Sequence, residues 1–187
     1  MAHSPPHLRL VAKPSASETS DEVVSLDDFD AAFRAYARYV GAIGLRILGR
    51  PDEVDDLVQE VFLAAHRQRA TLREPAALKG WLATLTVRKA TRVLKKRRLR
   101  RLMGLDQVPD YAQVASPSAS PAQVTLVGEV YQLLDFLPSE ERTAWVLRRI
   151  EQHTLSDVAE LCGCSLATAK RRVSAAEAKL QGKLGHG

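Results

Sequence analysis

Between Lys79 and Arg101 the chain carries ten basic residues and no acidic one. So dense a run of like charge cannot be gathered into a core, because each buried, unpaired cation costs more than a small domain can recover. It has to lie along a surface with its apolar residues on the other side. An α-helix achieves this: Trp81, Leu82, Leu85, Ala90 and Val93 turn inward, and Arg88, Arg92 and Lys95 fall at i, i+4 and i+7 outward. Lys89 and Lys96 flank that stripe, and Arg97, Arg98, Arg100 and Arg101 carry the charge past the core. Such a surface suits a polyanion, the plain alternative being a solvated helix face.

The charge is local. The 187 residues total only +5, but residues 25–102 carry +8, and residues 129–187 carry eight charges of each sign. Residues 1–24 lack the apolar run of a signal peptide and read as a disordered leader. No stretch has the roughly eighteen apolar residues of a membrane span. The basic helix needs its modest apolar side for its own domain, which argues against membrane-surface binding. Cys162 and Cys164 are too close to close a useful disulfide loop, so a reducing, cytoplasmic compartment is expected.

Pro109, Pro117 and Pro121 stand among Ser, Ala and Gln, marking residues 103–124 as a flexible linker. The expected fold class is therefore all-α, with two small helical domains over 25–102 and 125–187. Each is near the small end for an independent core.

In the first domain, Phe29, Phe33, Tyr36, Val40, Ile43 and Ile47 recur at helical spacing. Gly49, Arg50 and Pro51 end that helix, and Pro51 with Asp52 suits the first turn of the next. There Val54, Leu57, Val58, Val61, Phe62 and Ala65 form a second apolar stripe. Its opposite face presents Asp55, Asp56, Gln59 and Glu60, an acidic docking surface beside the basic helix. Trp81 has two readings, a core anchor or a platform for an unpaired base. His66 lacks partners at metal-ligand spacing.

In the second domain a short helix ends at Pro138, and Ser139 begins another with Ala144, Leu147 and Ile150 inward. Thr154 is a good N-cap for a third helix that stops at Gly163. Ser165 caps a fourth that runs to about Leu180. Two helices joined by a short turn containing Gly form a helix-turn-helix pattern. Lys170, Arg171 and Arg172 fall on its second helix, where phosphates and base edges are met, and Thr168 adds a hydroxyl. The Cys-Gly-Cys triplet is a poor zinc pattern and reads as packing. Paired carboxylates in a metal-ligand setting, a Gly-rich phosphate loop and a nucleophile–His constellation are all missing from the sequence, which speaks against an enzyme and calls for no cofactor.

Taken together, these stretches resemble a bacterial RNA polymerase sigma factor of the extracytoplasmic-function (ECF) group of the sigma-70 family. Asp52 to Leu63 is similar to the family's core-polymerase-binding helix, Trp81 to Arg101 to the helix that binds the −10 promoter element, and Leu137 to Leu180 to the −35-binding domain. The resemblance implies core polymerase as partner, through the β′ clamp helices and the β subunit, with Asp55, Asp56, Gln59 and Glu60 against it. It implies promoter DNA at Arg88, Lys89, Arg92, Lys95, Lys96, Ser165, Thr168, Lys170, Arg171 and Arg172, and an anti-sigma factor of the kind that commonly holds the family. The chain departs from the family pattern at Arg88, Arg92 and Ala169. The rival reading is a stand-alone helix-turn-helix regulator, which explains residues 154–180 but leaves the first domain without a role.

Overall fold

The computed structural model describes residues 26, 28–72, 74–105, 111, 114–115 and 118–184. The expected leader over 1–24 lies outside the described residues, as do Pro109 and Pro117 of the linker. Among the described residues there are seven α-helices and no strand: α1 (Phe29–Leu48), α2 (Val54–Gln68), α3 (Leu78–Leu102), α4 (Pro121–Leu134), α5 (Ser139–Trp145), α6 (Leu155–Cys162) and α7 (Leu166–Leu184).

Helix ends follow local chemistry. The Asp28 carboxylate accepts from the Ala31 amide at 2.9 Å and opens α1. Ser120 and Gln123 form a reciprocal capping box at the start of α4, with Pro121 in its first turn. Thr154 and Asp157 do the same for α6, and Gly163, at φ +61°, ends it. The Ser165 hydroxyl accepts from the Thr168 amide and opens α7. These are the caps and breaks that the sequence pattern predicts around the helix-turn-helix. The helix after Pro138 differs: it widens at Val146–Ile150 into a π-type turn, with Ala144 and Leu147 buried and Ile150 only half-buried.

Helices α1, α2 and α3 pack as one unit around Ile47, Leu57, Phe62, Leu78 and Leu82, all nearly inaccessible to solvent. Phe62 takes the edge of Phe29 at 6.1 Å and a tilted Phe33 at 4.9 Å. Helices α5, α6 and α7 pack as a second unit, with α4 along α7.

The two units do not stand apart. Helix α3 lies against both α5 and α6, and one continuous set of buried side chains runs through both units. Between α3 and α4, Tyr111 and Val114 are buried. The chain is packed at these two positions, although its composition reads as a free tether, because an aromatic ring and a valine supply apolar surface that a Ser/Pro count overlooks. The Tyr111 ring stacks on Tyr131 at 5.4 Å.

The joint between the units is built on the C-terminus of α1. A helix leaves its last four carbonyls without intrahelical partners. Here Leu45 is met by the Gly49 amide at 2.7 Å, and Arg46 by the Tyr131 hydroxyl at 2.7 Å. Ile47 is met by Arg142 Nε at 3.1 Å. Leu48 accepts from Arg142 at 2.8 Å and from Arg97 at 2.9 Å. Tyr131 and Arg142 belong to α4 and α5, so the second unit completes a helix of the first. Two guanidinium groups at a helix C-terminus also meet the negative end of its dipole.

Gly49 makes this possible. It sits at φ +69°, and a Cβ there would overlap the Tyr131 ring. Gly49→Ala should therefore lower stability by about 2 to 5 kcal/mol, from left-handed strain plus overpacking, read as the urea midpoint of the full chain. An unchanged midpoint would mean that Tyr131 does not close on Gly49.

Candidate polymerase and nucleic-acid interface

Three surfaces carry the residues singled out by sequence. The first is the outer face of α2. Leu57, Val58, Val61 and Phe62 are buried, and Asp55, Asp56, Gln59 and Glu60 are exposed on the other side. Asp55 and Asp56 sit in the first turn, where the helix dipole favours carboxylates. Leu63, one turn after Gln59, is 53% exposed. It adds an apolar spot to the acidic face, and its only signal in the sequence is that it falls outside the buried stripe.

The second surface is α3. Arg88, Arg92, Lys95 and Lys96 are exposed, whereas Lys89 is half-buried and reaches Glu60 at 3.2 Å. That pair ties the acidic helix to the basic one, though an ion pair this open adds little stability. Arg97 does not extend the exposed charge as the run suggests. Its side chain is buried and bound to the Leu48 carbonyl and to Glu53. Burial pulls its guanidinium below the ordinary value, opposed by the Glu53 hydrogen bond and charge. Inside a helix every third or fourth residue faces the core, and in so long a basic run one of the arginines lands there. Trp81 is half-buried and packs against the core, which favours the anchor reading. Thr71 and Glu74 of the loop before α3 are exposed, and Arg73 lies outside the described residues.

The third surface is the helix-turn-helix. Lys170 and Arg171 are exposed on α7, and Arg172 is half-buried, with its charge acting on Glu140 of α5 and on Cys162. The Ser165 and Thr168 hydroxyls lie 2.9 Å apart, and Ser165 also caps the helix. Ala169 is fully buried against the preceding helices, a position where a larger side chain would press the two helices apart. The basic side chains that α7 exposes are thus Lys170 and Arg171.

The second and third surfaces meet. The Thr91 hydroxyl lies 3.0 Å from that of Thr143 on α5, and Lys95 is paired with Glu140. A side chain on Gly163, in the turn, would begin 2.8 Å from the Arg88 guanidinium. Burial raises the Glu140 carboxyl, but the Lys95 ammonium and a backbone amide outweigh it and hold the group below the usual carboxylate range. Behind Asp135, Arg142 at 2.6 Å and Arg101 at 3.1 Å converge, and the Tyr111 hydroxyl donates to the same carboxylate.

Cys162 and Cys164 are half-buried and free. Among the described residues no group of three or more His, Cys, Asp and Glu is placed to hold a metal ion, and no described helix is long and apolar enough to cross a membrane.

Comparison with known proteins agrees with this geometry. The chain matches the sigma-70 region 2 family over residues 32–100 and the sigma-70 region 4 family over residues 128–180. It is 30% identical over 143 residues to the ECF RNA polymerase sigma factor EcfG of Rhodopseudomonas palustris, covering 76% of this chain and 77% of that protein. It is 33% identical over 149 residues to the probable RNA polymerase sigma factor RfaY of Xanthomonas campestris, covering 78% of this chain but only 37% of that longer protein. Among solved structures it is similar to the sigma factor RpoE of Bartonella quintana in complex with the anti-sigma factor NepR. That match has a TM-score of 0.57 and 26% identity, and covers 85% of this chain and 98% of that one. CnrH in complex with the cytosolic domain of CnrY shares the fold, at a TM-score of 0.54 and 23% identity over 84% of this chain and 88% of that one.

The chain belongs to the ECF group of the sigma-70 family, and so is a transcription initiation factor that directs RNA polymerase to promoters.

Burial, then the charge of Cys164, pushes the Cys162 thiol up to about 11. Only about one Cys162 in ten thousand is then thiolate near pH 7. Iodoacetamide at that pH should leave Cys162 unmodified in the folded chain and label it in urea, read by peptide mass spectrometry. Fast labelling of the native protein would mean that Cys162 is not packed behind α7.

Proposed function

We propose that α2 docks on the core polymerase, that α3 takes the −10 element and assists melting, and that α7 takes the −35 element. The observation that carries this division is the pair of opposite faces on adjacent helices. Asp55, Asp56 and Gln59 are exposed on α2, and Arg88, Arg92 and Lys96 are exposed on α3. An acidic, partly apolar face suits a basic protein surface such as the β′ clamp helices, and a basic face suits phosphates. The first unit, over 25–102, acts as region 2. The unit beginning with α4 acts as region 4 and also meets the β subunit. Melting costs a few kcal/mol per disrupted step, so both units and the polymerase must contribute to it.

The chain works as a regulatory factor without catalytic chemistry of its own, in the cytoplasm. An anti-sigma factor is a natural partner, because the similar sigma factor RpoE was captured with the anti-sigma factor NepR. A stand-alone regulator would leave the α2 face idle.

Transcription in vitro from a promoter library, with and without core polymerase, tests the reading. Initiation at a defined subset of promoters only when chain and core are combined is expected. Promoter protection by the chain alone, unchanged by core, would overturn it. The double variant Asp55→Lys, Gln59→Lys should weaken core binding by about tenfold or more, near 1.4 kcal/mol, with unchanged helix content. Full assembly of that variant would remove α2 from the docking role.

On α7, Arg171→Ala should lower affinity for the upstream element and reduce the salt slope by about 0.9 for each phosphate that the side chain neutralises. Arg172→Ala should do less, since its side chain is half-buried. Equal effects of the two would mean that α7 meets DNA with a different face.

A further inference from the structure

The faces assigned to polymerase and DNA leave the last two turns of α3 without a role. There Arg97, Arg98 and Arg101 come together with Asp135, Ser139 and Arg142 around a cavity of about 20 Å3. Four guanidinium groups line it against one carboxylate. That carboxylate, Asp135, is shared between Arg142 at 2.6 Å and Arg101 at 3.1 Å, and it also accepts from the Tyr111 hydroxyl. Glu53, the carboxylate that pairs with Arg97, is not part of the lining. The wall of the cavity is therefore strongly positive.

Two of these cations are deep, Arg97 at 4% and Arg142 at 2% exposed. A buried cation is tolerated only when opposite charge and acceptors surround it. The carbonyls of Ile47 and Leu48 at the end of α1 supply part of that, the equivalent of about half a charge. The balance at the cavity stays positive. Burial, opposed by Glu53, pulls the Arg97 guanidinium below its ordinary value, and the charge of Arg142 adds to the pull.

One donor is also spare. Arg97 Nη1 bonds the Leu48 carbonyl and Nη2 bonds Glu53. Its Nε is buried and has no hydrogen-bond partner among the described residues. Buried N–H groups in folded proteins nearly always find an acceptor, and one on a charged group is the costliest to leave without.

We propose that this cavity is an anion site, and that its ligand is a halide-sized monoanion held by Arg97, Arg98 and Arg142. Size selects the ligand. A water molecule needs roughly 10–15 Å3 of such space, so the cavity admits one guest of atomic dimensions and not a tetrahedral oxyanion such as sulfate or phosphate. Charge selects it too: a water would satisfy the spare donor and leave the positive excess unanswered, whereas an anion answers both. Arg98 is exposed and stands at the mouth, so the guest exchanges with solvent. Bound to the folded chain alone, it acts as a structural counter-ion, and stability rises with the logarithm of its free concentration.

The test is the width of the chloride NMR resonance in the presence of the full chain, with sodium gluconate holding ionic strength constant. Excess broadening is expected that saturates with chloride, is displaced by bromide and vanishes in urea. Sulfate at equal ionic strength should displace far less than bromide. Arg97→Lys keeps the charge and removes the Nε donor, and should weaken binding about tenfold or more. Arg98→Ala should weaken it several-fold at unchanged helix content by circular dichroism, which keeps the test decisive if the Arg97 variant misfolds. Arg100→Ala, exposed on the same helix but outside the lining, should bind as the parent does. Equal loss in the Arg98 and Arg100 variants, or displacement by sulfate as readily as by bromide, would reduce the effect to general surface charge and overturn the site. Broadening that does not saturate, or that survives urea, would leave the cavity to water and overturn it as well.

Discussion

Among the described residues, the joint between the two units is arranged around four carbonyl groups at the end of α1. A helix terminus inside a protein must find donors, and among the described residues the first unit supplies two, the Gly49 amide and Arg97. The rest come from Tyr131 and Arg142, nearly a hundred residues further on. A long-range contact of this kind carries a loop-closure cost, yet that cost grows only slowly with length. What secures it is that the donors are strong: an arginine hydrogen bond to an acceptor near the negative end of a helix dipole is charge-assisted.

The chemistry of that joint differs from that of the two cores. Phe62, Ile47 and Leu57 are held by apolar burial, which has no substitute in water. The joint adds hydrogen bonds and ion pairs to the continuous buried set that runs through both units. The joint therefore differs from the interior of each unit in the polar groups it contains, and the difference lies in the residue types at each place. Tyr111 and Val114 add an apolar component, so the connecting segment takes part in the seam as well as tethering the units.

Charge serves both surface and interior. The net +8 of residues 25–102 is divided between an exposed face on α3 and three buried arginines, Arg46, Arg50 and Arg97. Glu60 and Lys89 pair at the boundary between the acidic face of α2 and the basic face of α3, so the two faces lie side by side on one unit.

Much of this was legible in the sequence. Apolar spacing placed the helices, and Thr154, Gly163 and Ser165 marked the helix-turn-helix, because capping and left-handed φ depend on a few neighbouring residues. The outward direction of Asp55, Gln59, Arg88 and Arg92 followed from helix period alone. The roles of Arg97, Arg142, Tyr131 and Tyr111 did not, because nothing local separates a buried arginine or tyrosine from an exposed one. Their partners are largely backbone carbonyls, which every residue carries, so no pattern of side chains announces them. The sequence by itself determined what each helix is and which way it faces, through period, caps and charge. Only the tertiary structure decided that the two units close on each other, because that closure rests on donors and acceptors that become neighbours only once the chain has folded.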